Sequence, residues 1–557
     1  MKKINGKKKL LFHCFIVSLF VILVYSRFVG LDWGLPYPMH PDERNMVAAI
    51  QQLNCKFSSA SWRINFLNCL NPHFFAYGQF PLYLGYLISY FLKIEATISL
   101  RIISAAASII NTIIIIKIIK VISKKESYLT FFTSYLLVIF SPFAIQFAHF
   151  GTTESLLMFF YSAIIFQSLL FIDKRISTLS FVINSSLLVG LSLTTKVSSL
   201  IFLTVPFSVS LFNIEFLKQK TSMSISKNTL YFFGYRLMNK LIDLIILVFI
   251  SFVVFFIFSP HNFINFKDFI SSMNYESDVA LGKSSVFYTR QFFEKKPIIF
   301  QVEKIFPYAL GWPMYILGSL GFLGLSWKDK SFNLLRFAFL VYFIPSAIIY
   351  AKWSRFMAPV LPLALIFATI FLLQIKVTNI IKVIIIIFAI IPGIAYLSVY
   401  QNPDVRFQAS DWIYKNIPNN SYVLSETANV VDIPIELESY KVRKVYKVIS
   451  FNFYDLDESP LLQQELREHL EKADFIFIAS RRIFTDHPKE KYPILNKYYE
   501  DLFSGKLGFE KVSEFESFPK VCLPTTDKCL VFDDEQAEET WTVFDHPVIR
   551  IYKRKSL

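Results

Sequence analysis

The sequence predicts a polytopic α-helical membrane protein with a C-terminal soluble α/β domain. Of its 557 residues, 54% are hydrophobic and only 18% are charged, and the mean hydropathy is +0.45. Apolar runs long enough to cross a bilayer recur throughout residues 1–400. After residue 400 the pattern changes to short apolar runs that alternate with charged, helix-spaced segments. A soluble protein of this length would not combine so many apolar residues with so few charges.

We predict about eleven spans from the length of the apolar runs. The first follows a lysine-rich N-terminus and has no small-residue cleavage site, which predicts a retained anchor. Lysine and arginine clusters between the runs place the N-terminus in the cytoplasm and the tail outside. A span at 74–92 would put those clusters on the wrong side, so we predict an interfacial or re-entrant helix there. The predicted spans are 10–30, 98–122, 128–147, 152–172, 179–194, 197–216, 241–258, 308–325, 334–350, 356–373 and 380–400.

Two domains are predicted. Residues 1–400 form the membrane domain, with a first outer loop at 31–97 that holds interfacial helices and a second long outer loop at 261–307. Residues 401–557 form an extracytoplasmic soluble domain. Within it, helical spacing predicts helices at 408–413 and 461–472, and short apolar runs predict strands at 422–425, 475–479 and 548–552.

The net charge of +15 is uneven, because the basic excess lies in the membrane region and the tail is mildly acidic. A basic excess on a membrane region marks cytoplasmic loops. No basic-aromatic motif indicates nucleic-acid binding.

Four of the five cysteines fall into two close pairs, Cys55 with Cys69 and Cys522 with Cys529. Either pair could close a small loop if both regions face an oxidising compartment. Free thiols are the open alternative.

Charged residues gather at the predicted outer ends of the spans and are nearly absent at mid-depth. A charge at mid-depth costs about 2.5–3.5 kcal/mol on insertion scales, so this placement is informative. Such a set suits a substrate with a lipid-anchored phosphate and a sugar: cations neutralise the phosphate, and a carboxylate takes a proton from the acceptor hydroxyl. The set comprises Asp42, Glu43, Arg101, Glu154, Lys196, Lys352 and Arg355.

The sequence His40-Pro41-Asp42-Glu43, shortly after the first span, resembles the Asp-Glu motif in the first outer loop of GT-C glycosyltransferases. The resemblance is to family 39, the protein O-mannosyltransferase and aminoarabinose-transferase relatives. Glu154 stands where the second acidic motif of that family usually has Asp. Further segments that resemble the family are 99–104, 149–156, 190–196, 355–362, 404–418, 480–482, 508–510 and 537–547.

The resemblance implies a GT-C-like membrane domain, a polyprenyl-phosphate-linked sugar donor and an inverting direct displacement. It makes Asp42 the general base, Glu43 a residue that holds the acceptor or orders the loop, and Glu154 a second catalytic acid. It assigns the donor phosphate to Arg101, Lys196 and Arg355. Apart from the resemblance, His40 and His149 could be metal or proton-relay groups, and these two residues and Lys352 are secondary candidates for the site. It implies no obligatory metal, although the adjacent carboxylates of Asp42 and Glu43 could bind Mg²⁺ or Mn²⁺.

Each of these residues also has a structural interpretation. Asp42 and Glu43 could cap a helix that begins at Arg44, and Glu154 could be solvated at a helix end. The cations could be snorkelling or interfacial anchors, and the two histidines could be hydrogen-bonded loop residues. In the tail, Arg481 and Arg482 are predicted to be a solvated charge pair.

Two other functions compete with a glycosyltransferase. A transporter or flippase for lipid-linked sugars would carry paired repeats and midplane ionisable groups, and the sequence has neither. A non-catalytic subunit of an envelope polysaccharide assembly system would tolerate loss of the carboxylates. The sugar and the acceptor, which could be a protein, a lipid or a glycan, stay open at this point.

Overall fold

A computed structural model describes residues 6–55, 68–124, 128–212, 227–427, 431–437, 444–523 and 528–555. A bundle of apolar helices occupies the first part of the chain, and a domain built on a mixed β-sheet follows it.

The helices of the bundle arise from segments rich in Ile, Leu and Phe. A helix lets such a segment satisfy its backbone hydrogen bonds internally, as a membrane requires. Each of the eleven predicted spans coincides with one helix or with two consecutive helical segments. The α-helical and 3₁₀ segments are Gly6–Phe28, Pro41–Gln52, Gln79–Leu92, Ala96–Ser123, Tyr128–Ile139, Pro142–His149, Glu154–Ile172, Thr178–Leu193, Val197–Leu203, Thr204–Phe212, Lys227–Phe258, His261–Ile264, Phe266–Ala280, Phe287–Phe292, Ile299–Lys304, Phe306–Leu310, Trp312–Gly324, Lys330–Ile348, Ser354–Val360, Leu361–Gln374 and Asn379–Gln401.

Within the described ranges, six helices are long and apolar enough to cross a membrane, and a bent pair, Phe131–Ile139 with Pro142–His149, would make seven. The polytopic α-helical class predicted from the sequence is therefore confirmed. Three shorter apolar helices, Cys14–Phe28, Thr178–Leu193 and Val197–Leu211, match further predicted spans. The six are Ala96–Ser123, Glu154–Ile172, Met238–Phe258, Lys330–Ile348, Ser354–Gln374 and Asn379–Gln401.

The helix Gln79–Leu92 lies where the sequence predicts an interfacial or re-entrant segment. It has 14 residues, and a helix of that length extends about 21 Å. The hydrocarbon core of a bilayer is about 30 Å thick, so this helix alone falls short of it, as does the 16-residue helix Thr178–Leu193 in a predicted span. The interfacial or re-entrant placement of 74–92 stays a prediction.

The soluble domain is built on a five-stranded mixed sheet in the order β2-β1-β3-β7-β4. Strand β1 pairs in parallel with β2 and β3, whereas β7 runs antiparallel to β3 and β4. All four residues of β3 are buried, as expected for a continuous apolar strand at the centre of a sheet. The strands are β1 Tyr422–Glu426, β2 Lys447–Phe451, β3 Phe475–Ile478, β4 Phe509–Phe515, β5 Lys520–Cys522, β6 Cys529–Val531 and β7 Ile549–Arg554.

Helices cover this sheet, and the α/β class predicted for the tail is confirmed. The first helix buries Val405, Ala409 and Ile413, which share one face because they are four residues apart. The predicted helices at 408–413 and 461–472 and all three predicted strands are present. The helices of the domain are Val405–Asn416, Pro460–Lys472, Arg482–Asp486, Pro493–Phe503 and Glu539–Thr542.

Both cysteine pairs form disulfides. The Cys55–Cys69 bond joins two residues 14 positions apart within 31–97, and the Cys522–Cys529 bond joins β5 to β6 in a two-stranded hairpin. Of the two interpretations that the sequence leaves open, the structure has the disulfides.

The two domains meet along residues 534–547, which we call the docking segment. Trp541 is 2% exposed and lies in the apolar core of the bundle. Asp545 accepts hydrogen bonds from Tyr400 at 2.7 Å and from Gln146 at 3.2 Å, both on bundle helices. Glu538 accepts a hydrogen bond of 2.9 Å from the backbone N–H of Ser354. The docking segment therefore fixes the soluble domain against the bundle.

Arg481 and Arg482 are buried beneath the docking segment, so the prediction of a solvated charge pair is wrong. Arg481 is 6% exposed and donates to the hydroxyl of Thr542 at 3.0 Å and to two backbone carbonyls. Arg482 is 3% exposed. The adjacent arginines give no local sign of this burial, because it results from a segment more than fifty positions away in the sequence.

Candidate active site where the two domains meet

Asp42 and Glu43 lie in the first turn of the helix Pro41–Gln52. The N-cap is His40, whose Nδ1 accepts a hydrogen bond of 3.2 Å from the backbone N–H of Asp42. The interpretation of the two carboxylates as the capping pair is therefore wrong. The positive end of the helix dipole favours negative charge at their position.

Glu43 points away from Asp42 and binds Arg101. Its two carboxylate oxygens accept hydrogen bonds of 2.9 and 2.7 Å from the Arg101 guanidinium, and neither side chain is exposed. The backbone N–H of Gly151 donates to Glu43 Oε2 at 2.7 Å. A Cβ atom at Gly151 would lie 2.9 Å from that oxygen, so the close approach requires glycine. Glu43 thus holds the helix Pro41–Gln52 to the helix Ala96–Ser123 and to the turn that contains Gly151.

Arg101 binds the first outer loop with its remaining donors. Its Nη1 donates to the carbonyl oxygens of Leu31 and Trp33 at 2.8 Å, and its guanidinium lies 4.5 Å from the centre of the Trp33 ring. This buried, saturated environment favours a positioning role for Arg101 over the phosphate contact predicted from the sequence.

Asp42 forms an ion pair with Arg355, which is 313 positions away in the sequence. The side chains are 17% and 21% exposed, so both retain access to solvent. The Arg355 guanidinium lies 4.6 Å from the centre of the Trp353 ring, and its buried Nε has no hydrogen-bond partner among the described residues. A reachable carboxylate and a cation with an unused donor thus lie in direct contact.

Lys196 and Glu154 lie next to this pair. Lys196 Nζ is 3.9 Å from Glu154 Oε1, and it is 5.5 Å from the centre of the Phe356 ring and 5.2 Å from that of Tyr77. Arg355 Cζ is 6.0 Å from the centre of the same Phe356 ring, so two of the predicted phosphate-binding cations lie near one aromatic side chain.

The three secondary candidates make mainly structural contacts. Lys352 is 2% exposed and donates to two backbone carbonyls at 3.1 and 2.9 Å. Both ring nitrogens of His149 lie 2.8 Å from backbone carbonyl oxygens, and the ring stacks on Tyr400. His40 packs between Phe150 and Phe544.

Burial and the neighbouring cations favour the neutral form of the His40 ring. Burial, followed by the positive charges of Arg355 and Arg482, holds the pKa of His40 well below its usual value. A neutral ring can accept the N–H of Asp42 and cannot act as a cationic acid near pH 7.

The docking segment contributes charged groups that the sequence reasoning missed. Arg482 Nη1 lies 3.6 Å from Glu539 Oε1, and the Arg482 guanidinium is 5.4 Å from the centre of the Phe544 ring. Since Phe544 also packs on His40 at 4.4 Å, the Phe544 ring lies between Arg482 and the N-cap residue of the Asp42 helix. The resemblance did include segments 480–482 and 537–547, but only the structure places them beside Asp42.

The adjacent carboxylates do not fit a shared Mg²⁺ or Mn²⁺ site. Both oxygens of Glu43 are engaged by Arg101 and Gly151, and Asp42 faces Arg355. In the part of the chain that the structure describes, no group of three His, Cys, Asp or Glu side chains could hold a metal ion.

Solved structures similar to this chain include two of ArnT from Cupriavidus metallidurans. With undecaprenyl phosphate bound, the TM-score is 0.46 at 13% identity, over 72% of each chain. In the apo state it is 0.43 at 13% identity, over 74% of this chain and 66%, just under two thirds, of the ArnT chain. The Archaeoglobus fulgidus oligosaccharyltransferase in the apo form gives a TM-score of 0.48 at 12% identity, over 87% of this chain and 72% of that one.

No family model matches the chain, and no curated protein matches it. Because the three TM-scores are below 0.5, we base the proposed function on the site geometry and on the motifs in the sequence.

Proposed function

We propose that this chain is a GT-C-type membrane glycosyltransferase that moves a sugar from a polyprenyl-phosphate-linked donor to an acceptor on the extracytoplasmic side. The observation that carries the proposal is the contact between Asp42 and Arg355, with Lys196 beside the neighbouring Phe356 ring. A solvent-accessible carboxylate beside two cations combines a proton acceptor with a phosphate-binding site.

The reaction would begin when the donor phosphate binds Arg355 and Lys196. The phosphate then competes with Asp42 for Arg355, which frees the carboxylate to face the acceptor. Asp42 accepts the proton of the acceptor hydroxyl, whose oxygen bonds to the anomeric carbon of the sugar. The bond from that carbon to the phosphate oxygen breaks, and its electron pair leaves with the polyprenyl phosphate. One direct displacement inverts the anomeric configuration.

The same geometry supports roles for the other charged residues. Glu43 and Arg101 would hold the first outer loop so that Asp42 faces Arg355. Glu154 would fix Lys196 next to Phe356 through the 3.9 Å ion pair. Glu538, bonded to the backbone of Ser354, would hold the residue before Arg355 in place. We place the N-terminus in the cytoplasm and the soluble domain outside, in line with the lysine clusters.

Asp42→Asn tests the proposal. The purified full chain would be incubated with a panel of polyprenyl-phosphate sugars, and donor consumption would be measured. Wild type should consume at least one donor, and Asp42→Asn should lose this activity while keeping its thermal unfolding temperature. Asp32→Asn, an exposed aspartate in the same loop, is the matched control and should remain active.

Full activity of Asp42→Asn would contradict the assigned base. If wild type consumes no donor but moves lipid-linked sugars across vesicle membranes, the flippase alternative would be correct. If it does neither, yet polysaccharide assembly in cells requires the chain and tolerates Asp42→Asn, the non-catalytic subunit would be correct.

A further inference from the structure

A second group of charged atoms lies behind the Asp42 helix, inside the soluble domain. Six buried polar atoms there have no hydrogen-bond partner among the described residues: Nε and Nη1 of Arg482, both carboxylate oxygens of Asp486, Oε1 of Glu539 and the hydroxyl of Tyr454. Folded proteins leave few such atoms unsatisfied, so a concentration of them in one place calls for another partner.

These side chains come from separate segments that the fold brings together. Arg482 and Asp486 bound one short helix, Glu539 begins the helix of the docking segment, and Tyr454 follows β2. All four side chains are at most 6% exposed. Arg482 Nη1 and Glu539 Oε1 are 3.6 Å apart, beyond hydrogen-bond distance. A polar group of a ligand could therefore bridge them.

The cluster adjoins the proposed reaction centre. Phe544 lies between Arg482, at 5.4 Å, and His40, at 4.4 Å. His40 in turn accepts a hydrogen bond from the backbone N–H of Asp42. A ligand that contacts Arg482 would thus lie next to the helix that carries the proposed base.

The chemistry of the cluster suits a ligand with several hydroxyl groups. Carboxylate oxygens accept hydrogen bonds, the guanidinium donates them, and the tyrosine hydroxyl does both. The negative charge of Glu539 disfavours a phosphate or another anion at this position, whereas the guanidinium disfavours a bare cation. Burial, reinforced by the charge of Glu539, raises the pKa of Asp486 well above its usual value. A protonated Asp486 would add one more donor.

We propose that Arg482, Asp486, Glu539 and Tyr454 form a carbohydrate subsite, in which the soluble domain binds the hydroxyl groups of the sugar to be transferred. That this sugar belongs to the lipid-linked donor rests on the proposed function. The subsite gives the soluble domain a direct part in sugar selection.

Saturation-transfer NMR would test the subsite, with the full chain in detergent and a panel of methyl glycosides of hexoses and pentoses as probes. At least one glycoside should bind. Asp486→Asn and Glu539→Gln should each weaken that binding about tenfold, because each replaces a carboxyl oxygen that would form a hydrogen bond with a sugar hydroxyl. Tyr454→Phe, which keeps the packed ring, should weaken it less and guards against loss of folding. Glu500→Gln is the matched control, because Glu500 is exposed and pairs only with Lys489 at 2.6 Å in the described structure.

The proposal is overturned if no glycoside binds, or if binding is unchanged in Asp486→Asn, Glu539→Gln and Tyr454→Phe. Buried water would then be the partner of these atoms. Asp42→Asn separates the subsite from the proposed function, since that variant should still bind the glycoside. Glycoside binding that depends on Asp486, in a protein that transfers no sugar, would leave the subsite standing and refute the transferase.

Discussion

Glu43 and Arg101 form a doubly hydrogen-bonded ion pair that is closed to solvent and joins the first outer loop to the helix Ala96–Ser123. We predict that Glu43→Gln destabilises the protein strongly, because it leaves the Arg101 charge buried without a counter-ion. Breaking such a pair costs about 3–5 kcal/mol. The thermal unfolding temperature of the detergent-solubilised chain should fall by several degrees.

Asp173→Asn is the control for this variant. Asp173 pairs with Arg175 at 3.2 Å, but the arginine side chain is 52% exposed. An exposed pair contributes about 0–1 kcal/mol, so the unfolding temperature should barely change. Equal effects of the two substitutions would contradict the structural role of Glu43.

Arg355→Lys should impair donor binding more than folding. Lysine keeps the charge but lacks the planar fork that binds two oxygens of a phosphate. We expect the KM for the lipid-linked donor to rise about tenfold, because one charge-assisted hydrogen bond is lost. Steady-state kinetics over a range of donor concentrations would measure it.

Arg101→Lys provides the contrast. Because Arg101 is enclosed by Glu43, Leu31 and Trp33, this variant should lower the unfolding temperature and leave the donor KM of the folded protein near that of wild type. A selective rise in KM would instead restore Arg101 to the phosphate-binding set.

Glu426, at the end of β1, should make stability depend on pH. Burial raises its pKa to about 8 from 4.5, even though Tyr499 donates a hydrogen bond to it. The neutral form therefore contributes stability that is full below pH 4.5 and is lost as the pH rises through about 8. Glu426→Gln should match the stability of wild type at pH 4.5 and exceed it increasingly up to pH 8. The difference in the free energy of unfolding should grow by up to about 1.4 kcal/mol for each pH unit and appear as a higher unfolding temperature. A constant difference across this range would contradict the assignment.

His546 should give a different pH profile. Burial lowers its pKa, but Asp545 at 2.6 Å and Asp534 at 3.0 Å outweigh burial and raise the pKa to about 10. Its charged form contributes stability that is full below pH 6.5 and disappears as the pH rises through 10. His546→Gln should be less stable than wild type below pH 6.5, and the gap should close towards pH 10. Unfolding temperatures measured across this range would show whether it does.

Much of the architecture was predictable because its signals are local. Apolar runs of span length, their flanking lysines and the alternation of strands and helices in the tail are all visible within about twenty residues. The grouping of charged residues at the candidate site was predictable for a related reason. Asp42, Lys196 and Arg355 lie at the ends of apolar segments, where a charged side chain is stable only if it contacts water, a partner or a substrate.

The partners of these residues were not predictable, because they depend on packing between distant segments. Arg101 and Arg355 are both cations at span ends, yet only the fold buries one against Glu43 and brings the other to Asp42. The prediction that Arg482 is solvated was wrong for the same reason. The segment that covers it lies far along the chain and has no periodic pattern of its own.

The docking segment also limits how the two domains can be recombined. Trp541 is part of the bundle's core, and Asp545 is hydrogen-bonded to two bundle helices. The soluble domain of another protein would therefore lack the side chains that fit this surface of the bundle. A working chimera would have to keep the matching faces around Gln146, Ser354 and Tyr400 together with their own tail. A change in the docking segment therefore requires a matching change in the bundle residues that contact it.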